Sequence, residues 1–112
     1  MKFIRIVKAS DLNIDLLDYA FEGDIEAVKE ILQQGADVNC QDEDGNTPLL
    51  FATASHDLPL VKLLVENGAD LDLLNKFGET PLDVASDNNY IEIENYLLGM
   101  GAGYNGNTMR SL

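Results

Sequence analysis

Much of the segment 42–74 returns thirty-three residues further along, and no other feature of the 112-residue sequence restricts its fold as strongly. Gly45 is answered by Gly78, Thr47-Pro48-Leu49 by Thr80-Pro81-Leu82, Ala52 by Ala85, and Gly68-Ala69 by Gly101-Ala102. One step in the other direction, Gly68-Ala69-Asp70 is answered by Gly35-Ala36-Asp37. Fixed self-similarity of this length marks a stack of like units, because one unit alone cannot bury its apolar face.

The residue types within the unit predict how it folds. Thr47 and Thr80 are N-cap residues, whose hydroxyls accept from the unpaired amides of a helix start. Pro48 and Pro81 follow at the first helical position, where a missing N–H leaves no partner unsatisfied. Leu49 with Ala52, and Leu82 with Ala85, stand three apart on one helical face, and the small alanines permit close approach of a second helix. Leu60, Val61, Leu63 and Leu64 give a broader apolar face, as in a helix packed on two neighbours. Gly35, Gly68 and Gly101 each follow an apolar periodic run, at the place of a left-handed C-terminal cap.

These linked motifs resemble the ankyrin repeat family, whose repeat has the same period and a T-P-L-H-x-A signature. Here the signature reads TPLLFA at 47–52 and TPLDVA at 80–85, with Leu50 and Asp83 where the family has histidine. The resemblance runs over roughly residues 13 to 102. It implies a mainly helical fold, an ankyrin-repeat solenoid of helix-turn-helix units joined by β-hairpin-like loops. On that reading the chain divides into an N-terminal arm (1–12), an atypical capping repeat (13–41), a full repeat (42–74), a truncated capping repeat (75–103) and a flexible tail (104–112).

The capping repeat lacks T-P-L, and Asn13-Ile14-Asp15-Leu16-Leu17 stands in its place. Leu16, Leu17, Tyr19 and Ala20 are expected to face inward, with Asp15, Asp18 and Glu22 outward. Gly23 makes a turn, Asp24 caps a second helix, and Ile25, Val28, Ile31 and Leu32 recur at helical spacing. In the last repeat Asp87-Asn88-Asn89 is the interhelix turn, and Tyr90, Ile91, Ile93, Tyr96, Leu97 and Leu98 form the closing helix, with Glu92 and Glu94 on its solvated face. Residues 38–46 and 70–79 are the two projecting fingers, the second carrying Leu73, Leu74 and Phe77 near its tip; packing on the adjacent finger would cover the leucines. Residues 1–10 alternate weakly between apolar and charged, compatible with a short strand or an ordered arm over the first repeat.

Twenty acidic residues face seven basic ones, a net charge of −13. Lys2, Arg5 and Lys8 crowd into the first eight positions and Arg110 lies near the end, so only Lys29, Lys62 and Lys76 oppose the acidic groups of the repeat body. Such a field repels nucleic acid and anionic membrane and speeds encounter with a basic partner, besides aiding solubility. The apolar runs fall well short of the roughly 18 consecutive residues that a membrane span requires. A lone Cys40 offers no internal disulfide, and residues 1–8 lack the continuous apolar core of a secretory signal, which together read as cytoplasmic.

No catalytic constellation or cofactor motif is present. His56 has Ser55 and Asp57 beside it, but adjacent residues in a turn point apart, and it stands where the family places glycine. Cys40 has neither a second cysteine nor a nearby histidine for zinc, and it stands where the family has a small buried alanine. Asp42-Glu43-Asp44-Gly45 lacks the ligand spacing of a calcium loop. The expectation is a non-enzyme with no metal site.

The resemblance implies a protein-binding module that works through finger tips and the exposed edge of each first helix. The matching positions are Phe21 and Glu22 in the first repeat, Gln41, Glu43, Asp44, Asn46, Ala54 and Ser55 in the second, and Leu74, Lys76, Phe77, Glu79, Asp87 and Asn88 in the third. Acidic groups with a few apolar anchors suit electrostatic approach followed by local burial, so the expected partner is another protein, a basic one that is sequestered or inhibited. A toxin-neutralising immunity protein is a special case that size and charge alone suggest. The alternative is a structural or assembly subunit that self-associates.

Overall fold

The structure, a computed structural model, describes residues 9–104. Six helices follow one another: α1 (Ala9–Glu22), α2 (Ile25–Gln33), α3 (Pro48–Ala54), α4 (Leu58–Glu66), α5 (Pro81–Asp87) and α6 (Ile91–Gly99). They form three helix hairpins, α1 on α2, α3 on α4 and α5 on α6. The first helices stack as a row, α1 against α3 against α5, while α4 touches α6 behind them. No strand occurs among the described residues.

Thr47, Thr80 and Asp24 cap helix starts as expected, and Asp57 does so as well. Thr47 Oγ1 accepts from the Leu50 amide at 3.1 Å, and Asp24 and Asp57 carboxylates accept from Ala27 and Leu60 amides at 3.1 and 3.2 Å. At α5 the cap is reciprocal: Asp83 N donates to Thr80 Oγ1 at 3.1 Å, and Thr80 N donates to Asp83 Oδ2 at 3.2 Å. Asp83, at the family's histidine position, and Thr80 thus tie down one amide each at this helix start, which is the capping-box arrangement.

Every one of these six helices ends the same way. The second residue past the C-cap donates back to the carbonyl three positions before that cap, as in Ala69 N to Leu64 O at 3.0 Å, and the residue between cap and donor is left-handed. This is the Schellman closure, which satisfies carbonyls that the helix leaves unpaired. Gly35, Gly68 and Gly101 fill the left-handed position after the second helices, and Gly23, His56 and Asn89 fill it after the first. His56 and Asn89 each have φ 59, a region that side chains enter at a cost. The His56 ring lies flat on Tyr90, with centroids 4.1 Å apart and planes 5° apart, which packs this strained turn onto the next repeat.

The core reads as columns at the repeat period. Leu16, Leu49 and Leu82 form one, and Ile31, Leu64 and Leu97 another, all buried. A third column runs Val28, Val61 and then Glu94, buried at 7% exposure where a valine would stand. The expectation of a solvated Glu94 is therefore corrected. Tyr104, placed with the loose tail by sequence, folds over the last helix and donates its hydroxyl to Glu94 Oε2 at 2.7 Å. A buried carboxylate without such a donor would be costly.

One boundary also moves. Helix α1 begins at Ala9, so residues 9–12, assigned to the arm, belong to the first helix. The strand-or-arm reading of the residues before it, and the tail after Tyr104, lie outside the described residues. In the closing helix, Tyr90 is the N-cap, Ile93 and Leu97 are buried, and Ile91 and Leu98 turn outward.

Candidate functional site

The two fingers are loops closed by a pair of side chains one period apart. Asp42 Oδ1 accepts from the amides of Asp44 and Asn46 at 2.9 and 2.8 Å. Asn75 Oδ1 accepts from Phe77 and Glu79 amides at 2.9 and 3.0 Å. Two backbone bonds complete each tip, Asp42 N to Asn46 O and Gly45 N to Asp42 O, both at 3.0 Å, and Asn75 N to Glu79 O at 3.2 Å with Gly78 N to Asn75 O at 3.0 Å. Side-chain oxygens thus do what a strand ladder would do in a hairpin. The β-hairpin-like loops expected from the resemblance are turns held by Asx bonds.

Neighbouring fingers are then joined by polar contacts. Asn75 Nδ2 donates to Asn46 Oδ1 at 3.1 Å and to Glu79 Oε1 at 2.8 Å, so the buried amide is fully engaged. Gln41 Nε2 bridges the carbonyls of Gly45 and Leu74 at 2.9 and 3.1 Å. Lys76 N donates to Asp44 O at 2.8 Å, and the Lys76 ammonium pairs with the Asp44 carboxylate. Both partners of that ion pair are about half exposed, so its contribution is small. At the bases of the fingers, Asn39 Oδ1 accepts from the Asp70 amide at 2.7 Å, and Asp72 Oδ1 accepts from the Gly103 amide at 3.3 Å. Asp42 and Asn75, which organise this region, were not singled out by sequence reading. The signal available was their coincidence at the repeat period together with turn-forming neighbours.

The fourteen expected binding residues fall into two rows. Phe21 and Glu22, Ala54 and Ser55, and Asp87 and Asn88 stand at the ends of α1, α3 and α5, and all six are exposed. Gln41 with Leu74, Glu43 with Lys76, Asp44 with Phe77, and Asn46 with Glu79 occupy matching places on the two fingers. Several of them hold the scaffold. Gln41, Asn46 and Glu79 make the finger bonds above, and Asn88 Nδ2 donates to the Val84 carbonyl at 2.8 Å. Phe21 and Phe77 are the most exposed large apolar groups among the described residues, at 67% and 65%. Leu74 is also exposed, and the Lys76 ammonium lies 5.2 Å from the Phe77 ring centroid, a cation–π contact.

Between α1 and the first finger lies an open groove of about 840 Å³. Ile14, Leu17, Phe21 and Phe51 make its apolar floor, and Phe21 meets Phe51 edge-on at 5.6 Å between centroids. Asp18, Asp37, Asp42, Glu43 and Asp44 line it, and no basic residue does. Sequence reading found Phe21, Gln41, Glu43 and Asp44 but not the groove; Leu17, expected to face inward, packs on the core and also borders the groove.

Cys40 also borders this groove, buried as expected, with Sγ donating to the Asn13 carbonyl at 3.6 Å. Burial, followed by the Asp37 charge, pushes its pKa from 9.0 up to about 11. Because the folded value is raised, the stability linked to the neutral thiol is fully present below the unfolded pKa and is lost as pH rises from about 9 through about 11. Labelling of the native protein by a disulfide reagent at pH 8 is expected to run roughly 100-fold slower than in urea, since only the thiolate attacks. Equal rates in the two states would contradict the burial. Among the described residues no group of three or more metal-ligating side chains converges, and no helix is long and apolar enough to cross a membrane.

A family model for ankyrin repeats (3 copies) matches residues 16–108. The chain is also similar to two Rickettsia felis proteins named as ankyrin repeat proteins. One is 40% identical over 55 residues, which is 49% of this chain and 87% of the relative. The other is 46% identical over 44 residues, 39% of this chain and 67% of the relative.

Proposed function

Since the chain belongs to the ankyrin repeat family, a fold of non-catalytic protein-interaction scaffolds, we propose that it binds a basic protein through its fingers and first-helix ends. The observation that carries this reading is the pairing of exposed aromatic anchors with carboxylates on a rigid finger surface. Phe21 and Phe77 offer area for burial, Glu22, Glu43 and Asp44 stand beside them, and the hydrogen bonds that close and tie the fingers keep these groups in place before any partner arrives. Preorganised loops lose less entropy on binding than mobile ones. Between Ala9 and Tyr104 the chain sets twenty acidic residues against three lysines, which favours a positively charged partner over nucleic acid. Blocking that partner's own basic site, as an inhibitor would, is the functional consequence of this reading.

The test is capture from source-cell lysate at low and moderate salt by the wild type and by a Glu43→Gln, Asp44→Asn, Phe77→Ser triple variant. The expected result is a basic protein, identified by mass spectrometry, whose association slows with added salt and whose retention falls at least about tenfold in the variant. A partner that is acidic, or held equally by the variant, would overturn the assignment.

Self-association is the second reading, favoured by Ile91, Leu98 and Met100 standing exposed on the last repeat. Sedimentation over a hundredfold dilution separates the two: a mass that rises with concentration supports assembly, and a constant monomer mass removes it.

A further inference from the structure

The groove between α1 and the first finger has a matching ligand in the chain itself. Its floor is apolar and its rim carries five carboxylates, of which Asp44 is paired with Lys76 and the other four face no basic residue of the lining. Ile14, 56% exposed, and Phe21 leave that floor uncovered by any described residue. The first eight residues, Met1-Lys2-Phe3-Ile4-Arg5-Ile6-Val7-Lys8, interleave three cations with four apolar side chains in a protein that has only seven basic residues. They run directly into α1, the helix that forms one wall. The eight-residue segment spans up to about 26 Å extended, whereas the wall from Ala9 to Phe21 is only about 18 Å long. Turned back along α1, the segment reaches the whole length of the groove.

We propose that residues 1–8 seat in this groove, with Phe3, Ile4, Ile6 and Val7 supplying the groups that meet Ile14, Leu17, Phe21 and Phe51, and with Lys2, Arg5 and Lys8 opposite the acidic rim. The groove is then a receptor for short segments that interleave basic and apolar residues. The chain's own segment competes there with any outside ligand of that kind. This deepens the reading above, in that the segment has the chemistry assigned to the partner, but it stands or falls without the partner being known.

The test uses the full-length protein carrying Lys2→Cys and Cys40→Ala, with a nitroxide at position 2 and nitrogen-15 labelling for amide spectra. Amides of Ile14, Phe21 and Glu43 are expected to lose most of their intensity at low salt. They should regain it in high salt, and in variants that add Phe21→Ala or Glu43→Lys, while amides on the far side of α2 stay sharp. A sample mixing spin-labelled, isotope-free protein with unlabelled nitrogen-15 protein separates the sources. No broadening in the mixed sample keeps the contact within one chain. Broadening of the same groove amides in the mixed sample would assign the groove to a second copy and overturn the proposal. Groove amides no more affected than those of α2 would overturn it as well. Failure of partner capture leaves this readout untouched, so the two readings fail separately.

Discussion

Gly45→Ala is expected to destabilise the protein by about 2–4 kcal/mol, several times more than the same change at Gly68. Both glycines are left-handed, with φ 79 and φ 92. A Cβ on Gly68 meets nothing within 4 Å, so that substitution carries only the conformational penalty, on the order of 1 kcal/mol. A Cβ on Gly45 falls 2.9 Å from Asn75 Cα, 3.1 Å from Lys76 N and 3.3 Å from Asn75 C. All three are backbone atoms of the neighbouring finger, which has no flexible tip to swing aside. Relief requires the fingers to part, and that lengthens the Lys76 N to Asp44 O bond and the Gln41 bridge. Urea unfolding of the two variants side by side checks it. Equal losses would show that the contact between fingers is looser than the structure places it.

Leu49→Ala is the other large effect, at roughly 2–5 kcal/mol out of the 5–15 that holds a small domain folded. Leu49 is 1% exposed on α3, the helix that packs on α1 and α5 and on its own partner α4. In a stack where each repeat contacts only its neighbours, a cavity in the middle unit weakens both interfaces at once. Leu98→Ala, on the outward side of α6, is the control and should fall within about 0.5 kcal/mol of wild type. The helical circular dichroism signal against urea reads both. A Leu49→Ala midpoint close to that of the control would contradict the column packing.

The repeat skeleton was legible because its signals are local. Threonine before proline, leucine three before alanine, and glycine after an apolar run each specify one helix end or one face, and the structure uses all of them in those roles. What was hidden depends on residues far apart in the chain. Glu94 looked like a surface residue on its own helix, whereas Tyr104, ten residues on, donates to its buried carboxylate. The groove gathers residues from α1, the first finger and α3, none of which signals a concavity by itself. Asp42 and Asn75 read as ordinary turn residues, since the bonds they make to amides two and four positions ahead have no hydrophobic pattern. Helix α1 was shortened because residues 9–12 lack a capping motif of the kind that begins α3 and α5.

The bonds at the finger bases make the joint between repeats a copyable part. Asn39 holds the amide of Asp70, and Asp72, thirty-three positions after Asn39, holds the amide of Gly103 by the same geometry. Each unit thus ends in the donor that its predecessor's acceptor needs and carries the acceptor for its successor. A gene duplication of 42–74 would reuse this bond at the new joint and would lengthen the surface by one finger. The chain's size is therefore set by how many copies are present, and growth by whole repeats is the direction in which such a protein can change with least disruption.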